Sequence, residues 1–121
     1  MIQQPTVPKW ALGILNNLCD IEKKLDIYGD SSNVRRNVER IKELLEDEQL
    51  FFENPLGEKF TETRTDLEAT ITGEGTEKLY VVEVIKPIVR YGTKKFSVVV
   101  QKGIVVVQSK ENGAEKEINN V

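Results

Sequence analysis

This sequence contains no histidine and only one cysteine in 121 residues. Histidine is the only side chain whose unperturbed pKa lies near neutral pH, so its absence removes the commonest general base and metal ligand. A single cysteine, Cys19, cannot form an internal disulfide or a multi-thiolate zinc site. We therefore predict that the protein is not an enzyme and that it uses no cofactor and no metal.

Catalysis by carboxylates alone is the enzymatic alternative. Such a pair would need a deep cleft, which a chain of this size rarely builds. Lys59 and Arg64 lie among the candidate carboxylates and favour ordinary ion pairing. The candidates are Glu58, Glu62, Asp66 and Glu68.

Long apolar runs are also missing. No stretch approaches the ~20 residues of a membrane span, and the first ten residues lack the apolar core of a signal peptide. Charged residues make up 31% of the chain and the net charge is −3, which is typical of an ordinary soluble surface. With one unpaired cysteine, we predict a cytoplasmic protein that does not associate with membranes.

Two helices are predicted in the first half of the chain. Apolar residues recur at alternating spacings of three and four from about Trp10 to Tyr28, and Gly29 follows as a C-terminal cap would. A second helix should start within 29–33 and end around Asp47 to Gln49. Each would expose a narrow apolar seam, so we predict self-association, as a dimer, through Ile14, Leu18, Ile21, Leu25, Val34, Val38, Ile41 and Leu45.

The period changes to two after residues 50–52, which indicates β structure. Strands are predicted at 67–72, at 79–85 and at 96–107, the last as one long or two short strands kinked near Gly103, with Phe96 directed into the core. We expect an α+β protein: an antiparallel helical hairpin (8–49), a small, mostly antiparallel β domain (50–109) and a disordered polar tail (110–121).

Several segments resemble the GrpE family, the nucleotide exchange factors of DnaK/Hsp70-type chaperones. ALGILNNLCDIEKKL and NVERIKELLEDEQL are similar to its bundle helices, DLEATI to its H-E-A-V strand, VVEVIKPIVRYG to V-V-E-V-L-Q-K-G-Y, and VVVQKGIVVV to V-L-R-P-A-M-V-K-V. The likeness covers roughly residues 10–108 and implies a divergent form without the family's long N-terminal stalk.

The resemblance implies a mechanical function. The family's β domain binds the chaperone's nucleotide-binding domain and favours its open cleft, so that ADP leaves faster. Gln101-Lys102-Gly103 replaces the family's R-P-A, so the arginine expected to engage the chaperone is absent. The partner-binding residues that we predict are Lys86, Arg90, Gln101 and Lys102, with Glu68 as a further candidate.

Two other functions remain open. The chain could be a scaffold or adaptor subunit without exchange activity. It could also bind single-stranded nucleic acid. The charged residues from Lys86 to Lys110 are all basic, and the aromatic residues Tyr91 and Phe96 lie between them. A simpler interpretation is that these lysines protect strand edges from aggregation. The apolar residues at 98–100 and 104–107 indicate a surface that meets the helices or a partner.

Overall fold

The computed structural model describes residues 6–109, and two helices open this part of the chain. Helix α1 spans Lys9–Tyr28. The Pro8 carbonyl accepts the Ala11 N–H at 3.0 Å, and at the other end the N–H of Gly29 donates to Leu25 O at 2.9 Å. Gly29 has φ +86°, a conformation that glycine adopts without a Cβ penalty. The predicted first helix is confirmed.

Helix α2 spans Val34–Asp47. The carboxylate of Asp30 accepts the N–H groups of Val34 at 2.6 Å and Arg35 at 3.0 Å, which satisfies two of the free donors at the helix start. The cap of the second helix, Asn33, thus lies within the predicted segment 29–33, and the first helical residue, Val34, follows it directly. The last helical residue, Asp47, falls where the sequence indicated.

Six strands form two small sheets of three strands each. One sheet has the order β1-β4-β5 and the other has the order β2-β6-β3. Three of the four strand pairings are antiparallel, and β2 pairs with β6 in parallel. The strands are β1 (Leu50–Glu53), β2 (Leu67–Thr72), β3 (Leu79–Lys86), β4 (Ile88–Gly92), β5 (Ser97–Gln101) and β6 (Gly103–Ser109). Two helices followed by two mostly antiparallel sheets make an α+β fold.

One long hairpin runs through both sheets. Strands β3 and β4 are separated only by Pro87, and β5 and β6 only by Lys102. Leu79 pairs with Ser109 at one end and Gly92 with Ser97 at the other. Register shifts interrupt the ladder between these ends, as expected where a two-stranded ribbon bends. We call residues 79–109 the long hairpin and the region around Pro87 and Lys102 its bend.

The buried side chains form two clusters. The first contains Leu15 and Leu18 of α1, Val38 of α2, Phe52 of β1 and Val89 of β4, so the helices pack on the first sheet. The second lies around β6 and β3. Its members are Leu67, Leu79, Val81, Val84, Ile88, Val105 and Val107.

The prediction for Phe96 was wrong. This ring is 83% exposed and lies in the turn before β5, whereas alternation had directed it inward with Val98 and Val100. Val98 is itself 44% exposed, and Val100 is the member of this trio that packs on the first cluster. Burial does not alternate along β5, and in this trio only Val100 packs against buried residues of the first cluster.

Neither described helix is long and apolar enough to cross a membrane. The polar tail predicted at 110–121 lies outside the described residues.

Candidate protein-binding surface

The bend of the long hairpin brings three of the predicted partner-binding residues together. Lys86 ends β3, Gln101 ends β5, and Lys102 forms the link to β6. Lys86 lies opposite Ile104, and Gln101 lies opposite Val89. The two lysines are exposed and form no ion pair with any residue of 6–109.

The amide of Gln101 ties helix α1 to the bend. Its Nε2 donates to Asn16 Oδ1 at 2.8 Å and to the Pro87 carbonyl at 3.0 Å, while its Oε1 accepts from Asn16 Nδ2 at 3.3 Å. A donor and an acceptor of each amide are thus used within the chain. Nothing in the sequence pattern pointed to Asn16, because a polar residue in a helix is ordinarily solvated.

Arg90 is held in a network of carboxylates. Its Nε donates to Glu53 Oε1 at 2.5 Å and its Nη2 to Asp66 Oδ2 at 3.3 Å. Arg64 also donates to Asp66, through Nε at 3.0 Å and Nη2 at 2.9 Å. These bonds fasten the connection between β1 and β2 to strand β4, so Arg90 has a structural role in this surface.

The network also sets the charge of its members. Hydrogen bonding to Arg64 is the largest cause that lowers the pKa of Asp66, and the same bond raises the pKa of Arg64. Arg64 also pairs with Glu58 at 3.0 Å, as expected from its position among carboxylates in the sequence. The Asp66 carboxylate, tied to arginine in this way, remains ionised near pH 7 and is a poor proton donor.

Of the basic residues between Lys86 and Lys102, two are neutralised locally. Arg90 is paired as described, and Lys94 lies 3.6 Å from Glu46 and 4.4 Å from the centroid of the Phe51 ring. Lys95, like the two lysines at the bend, has no acidic partner in the described range. Glu68 is exposed on β2 opposite Ile104.

Comparison with protein-family models, curated proteins and solved structures gave no match.

The predicted helical seams divide into an inner and an outer half. Leu18 and Val38 are buried in the first cluster, and Leu25 and Leu45 pack against it. The remaining members of the seams are 37–41% exposed: Ile14, Ile21, Val34 and Ile41. We call these four residues the outer stripe.

Helix geometry explains why part of this stripe faces away from the sheets. Asn16 reaches Gln101, and Lys23 donates to the Val84 carbonyl at 2.8 Å. Ile14 and Ile21 each come two positions earlier in α1, so they lie about 200° around the helix from those contacts. The outer stripe is consequently an apolar surface that the described part of the chain leaves half open.

Two further features do not build a reactive site. An open groove of about 310 Å³ lies between the end of α1 and β3, with Ile27, Leu56 and Val82 in its wall. Cys19 is buried, and burial raises its pKa to about 11, so the thiol is neutral near pH 7. Residues 6–109 contain no group of three side chains placed to hold a metal ion.

Proposed function

We propose that this chain is a GrpE-like protein-binding cofactor that engages a DnaK/Hsp70-type chaperone and promotes nucleotide exchange. The observation that supports it best is the bend, where exposed, unpaired Lys86 and Lys102 lie on a ribbon shared by two sheets. A surface fixed in this way can favour one conformation of a partner, because a binder shifts an equilibrium by its differential affinity for the two states. No catalytic side chain is required.

The predicted partner-binding residues then have two roles. Lys86, Lys102 and Glu68 are exposed and contact the partner. Arg90 and Gln101 are occupied by bonds to Glu53, Asp66, Asn16 and Pro87, and they position the surface.

The exchange function is tested by the release of a fluorescent ADP analogue from a DnaK-type chaperone. The wild-type chain should accelerate release, and the double variant Lys86→Glu/Lys102→Glu should lose most of that acceleration. Lys24→Glu is the control, because Lys24 is exposed on α1 and makes no ion pair within 6–109. Release that stays unchanged at saturating wild-type protein would remove the exchange function.

Self-association through the outer stripe is the second part of the proposal. Asp26 pairs with Arg35 at 2.8 Å and Glu22 with Lys42 at 3.2 Å, contacts that support an antiparallel helical hairpin. A second hairpin packed on the stripe would bury its four apolar side chains in a four-helix bundle. The proposal includes a cytoplasmic location, which suits a single, buried Cys19.

Sedimentation velocity tests the dimer. The variant Ile14→Glu/Ile21→Glu should sediment as a monomer while its circular dichroism stays unchanged. Thr65→Glu/Thr76→Glu adds the same charge at exposed polar positions outside both helices and should remain dimeric. A wild-type chain that is monomeric at high concentration contradicts this part of the proposal.

One observation favours an adaptor without exchange activity as the second candidate. Gln101 takes the position of the family's arginine, and its amide is already bonded to Asn16 and Pro87. Affinity purification from the native extract separates the two functions, since the exchange factor retrieves an ATPase chaperone and the adaptor does not.

A further inference from the structure

Strand β5 is an edge strand whose outer side is open. It pairs with β4 on one side, and no other described strand follows it in the sheet order. The exposed backbone of an edge strand can template the pairing of another chain.

Hydrogen bonds near the turn identify the free groups. Thr93 N–H donates to Phe96 O at 2.9 Å, whereas the N–H of the preceding Gly92 turns the other way and donates to Gln49 O at 2.8 Å. Gly92 faces Ser97 in the ladder, so the N–H and C=O of Ser97 point away from β4. By the same alternation the groups of Val99 also point outward. On this outer side, the backbone groups of Ser97 and Val99 have no hydrogen-bond partner within 6–109.

The two edge strands of the other sheet, β3 and β2, are protected in ways that β5 is not. The outer side of β3 is covered at 79–81 by residues 57–60, where Gly57 N donates to Val81 O, Val81 N to Glu58 O, and Phe60 N to Leu79 O. The outer strand β2 exposes Glu68, Thr70 and Thr72, which discourage apolar pairing. Strand β5 carries neither a charge nor a proline, and the side chains of Phe96 and Val98 are 83% and 44% exposed.

The charges around β5 indicate which kind of segment would pair with its open edge. Lys95 and Lys102 bracket β5 at its two ends, are exposed, and have no acidic partner among the described residues. No acidic residue occurs between Lys86 and Ser109. An extended segment with carboxylates about seven positions apart would bring one to each lysine, given about 3.3 Å per residue along both strands.

We propose that the open edge of β5 binds an acidic, extended segment of a partner protein by strand addition. The Ser97 and Val99 backbone groups supply the main-chain hydrogen bonds. Phe96 and Val98 contact alternate side chains of the incoming strand, and Lys95 and Lys102 pair with carboxylates at its ends. This goes beyond the exchange function and does not depend on it, because its test contains no chaperone.

The first experiment titrates the full chain against capped, fluorescein-labelled nine-residue peptides and follows anisotropy. The acidic peptide DETVTVTED should bind saturably at up to ~1 mM. The basic peptide KKTVTVTKK and the kinked peptide DETVPVTED should each bind at least about tenfold more weakly, since one loses charge pairing and the other a main-chain donor. No saturable binding of the acidic peptide, or equal binding of all three, overturns the proposal.

Substitutions then locate the site. Ser97→Pro removes an N–H that the ladder to β4 does not use, so it should lower the affinity for the acidic peptide by about tenfold. Ser97→Ala keeps this N–H and should leave the affinity unchanged. Lys95→Glu and Lys102→Glu should each lower the affinity for the acidic peptide by about twofold to fivefold. Lys24→Glu is the control and should leave this affinity unchanged. Equal affinity of all five variants overturns the proposal.

Amide hydrogen exchange keeps the test decisive if Ser97→Pro fails to fold. Adding the acidic peptide to the wild-type chain should slow exchange at Ser97 and Val99 and leave β2 unchanged. Slowing confined to β2 overturns the proposal. Stronger competition by oligothymidylate than by unlabelled acidic peptide would identify nucleic acid as the occupant and would also overturn the proposal. Peptide binding only to a dissociated monomer would identify a second copy of the chain as the occupant, with the same consequence.

Discussion

The carboxylate of Asp66 offers a direct measure of how strongly the connection between β1 and β2 is fastened to β4. It accepts two hydrogen bonds from Arg64 and one from Arg90. Its side chain is 17% exposed, and those of the two arginines are 22% and 23% exposed. Asp66→Asn keeps the shape of the side chain and removes the negative charge that both guanidinium groups share.

The magnitude follows from those contacts. A hydrogen bond to a charged group contributes about 1.5–3 kcal/mol, and partial exposure screens the ion pairs. The three bonds share one carboxylate and do not add. We therefore expect Asp66→Asn to lower the free energy of unfolding by about 2 kcal/mol at pH 7.

The loss should depend on pH in a defined direction. Hydrogen bonding to Arg64 lowers the pKa of Asp66 in the folded protein, whereas in an unfolded chain it is about 3.9. The carboxylate therefore stabilises the fold above the unfolded pKa, and this contribution is lost as pH falls through the folded pKa. The difference between wild type and Asp66→Asn should shrink below about pH 4.

Urea titrations followed by far-ultraviolet circular dichroism measure this difference; the fluorescence of Trp10 is a poor reporter because that side chain is 66% exposed. Glu62→Gln is the control, since Glu62 is exposed and makes no ion pair within the described range. A loss below about 0.5 kcal/mol, the size of an ordinary surface substitution, would refute the reasoning. A loss that persists unchanged at low pH would also do so.

Three other substitutions or reactions test the packing. Gly92→Ala should cost at least about 3 kcal/mol in a urea titration, because a Cβ there would lie 2.3 Å from Phe96 O at φ +134°; a near-neutral effect would contradict the turn geometry. Gly103→Ala should lower the melting temperature through a loss of about 1–3 kcal/mol, since its Cβ would lie 2.8 Å from Leu67 Cδ2 and 2.9 Å from Ile88 Cγ1, and unchanged melting would refute the close packing at β6. The thiol of Cys19 should react with a disulfide reagent at pH 8 only in denaturant; rapid reaction of the folded protein would show that it is accessible.

The sequence predicted the helices well because their signals are local. Seam periodicity, Asp30 and Gly29 each act within a few residues, and both helices end near the expected positions. Strand β2 and the turn after it were likewise indicated by alternation and glycine. Strand β1 was not predicted, because four residues with three consecutive buried side chains carry no period.

Long-range pairing was the part that the sequence could not supply. The parallel pairing of β2 with β6 joins residues far apart in the chain, and no local pattern distinguishes it from an antiparallel one. The exposure of Phe96 depends on how far along β5 other residues pack against the sheet, which is a long-range property. The partner of Gln101 is Asn16 on a distant helix, so the candidate surface was indicated by its residues but not by their contacts.

The shared ribbon also determines the order in which the fold can assemble. The turn at 93–96 closes a short loop, and pairing can then extend from Gly92–Ser97 towards Leu79–Ser109 at little further cost in chain entropy. With the ribbon formed, strand β2 needs only the connection at 73–78 to reach β6, because Thr72 pairs with Gln108 and Gln108 pairs with Tyr80, so β2 can join next. In this order the bend at Pro87 and Lys102 forms before β2 joins β6, which makes the candidate binding surface an early product of folding.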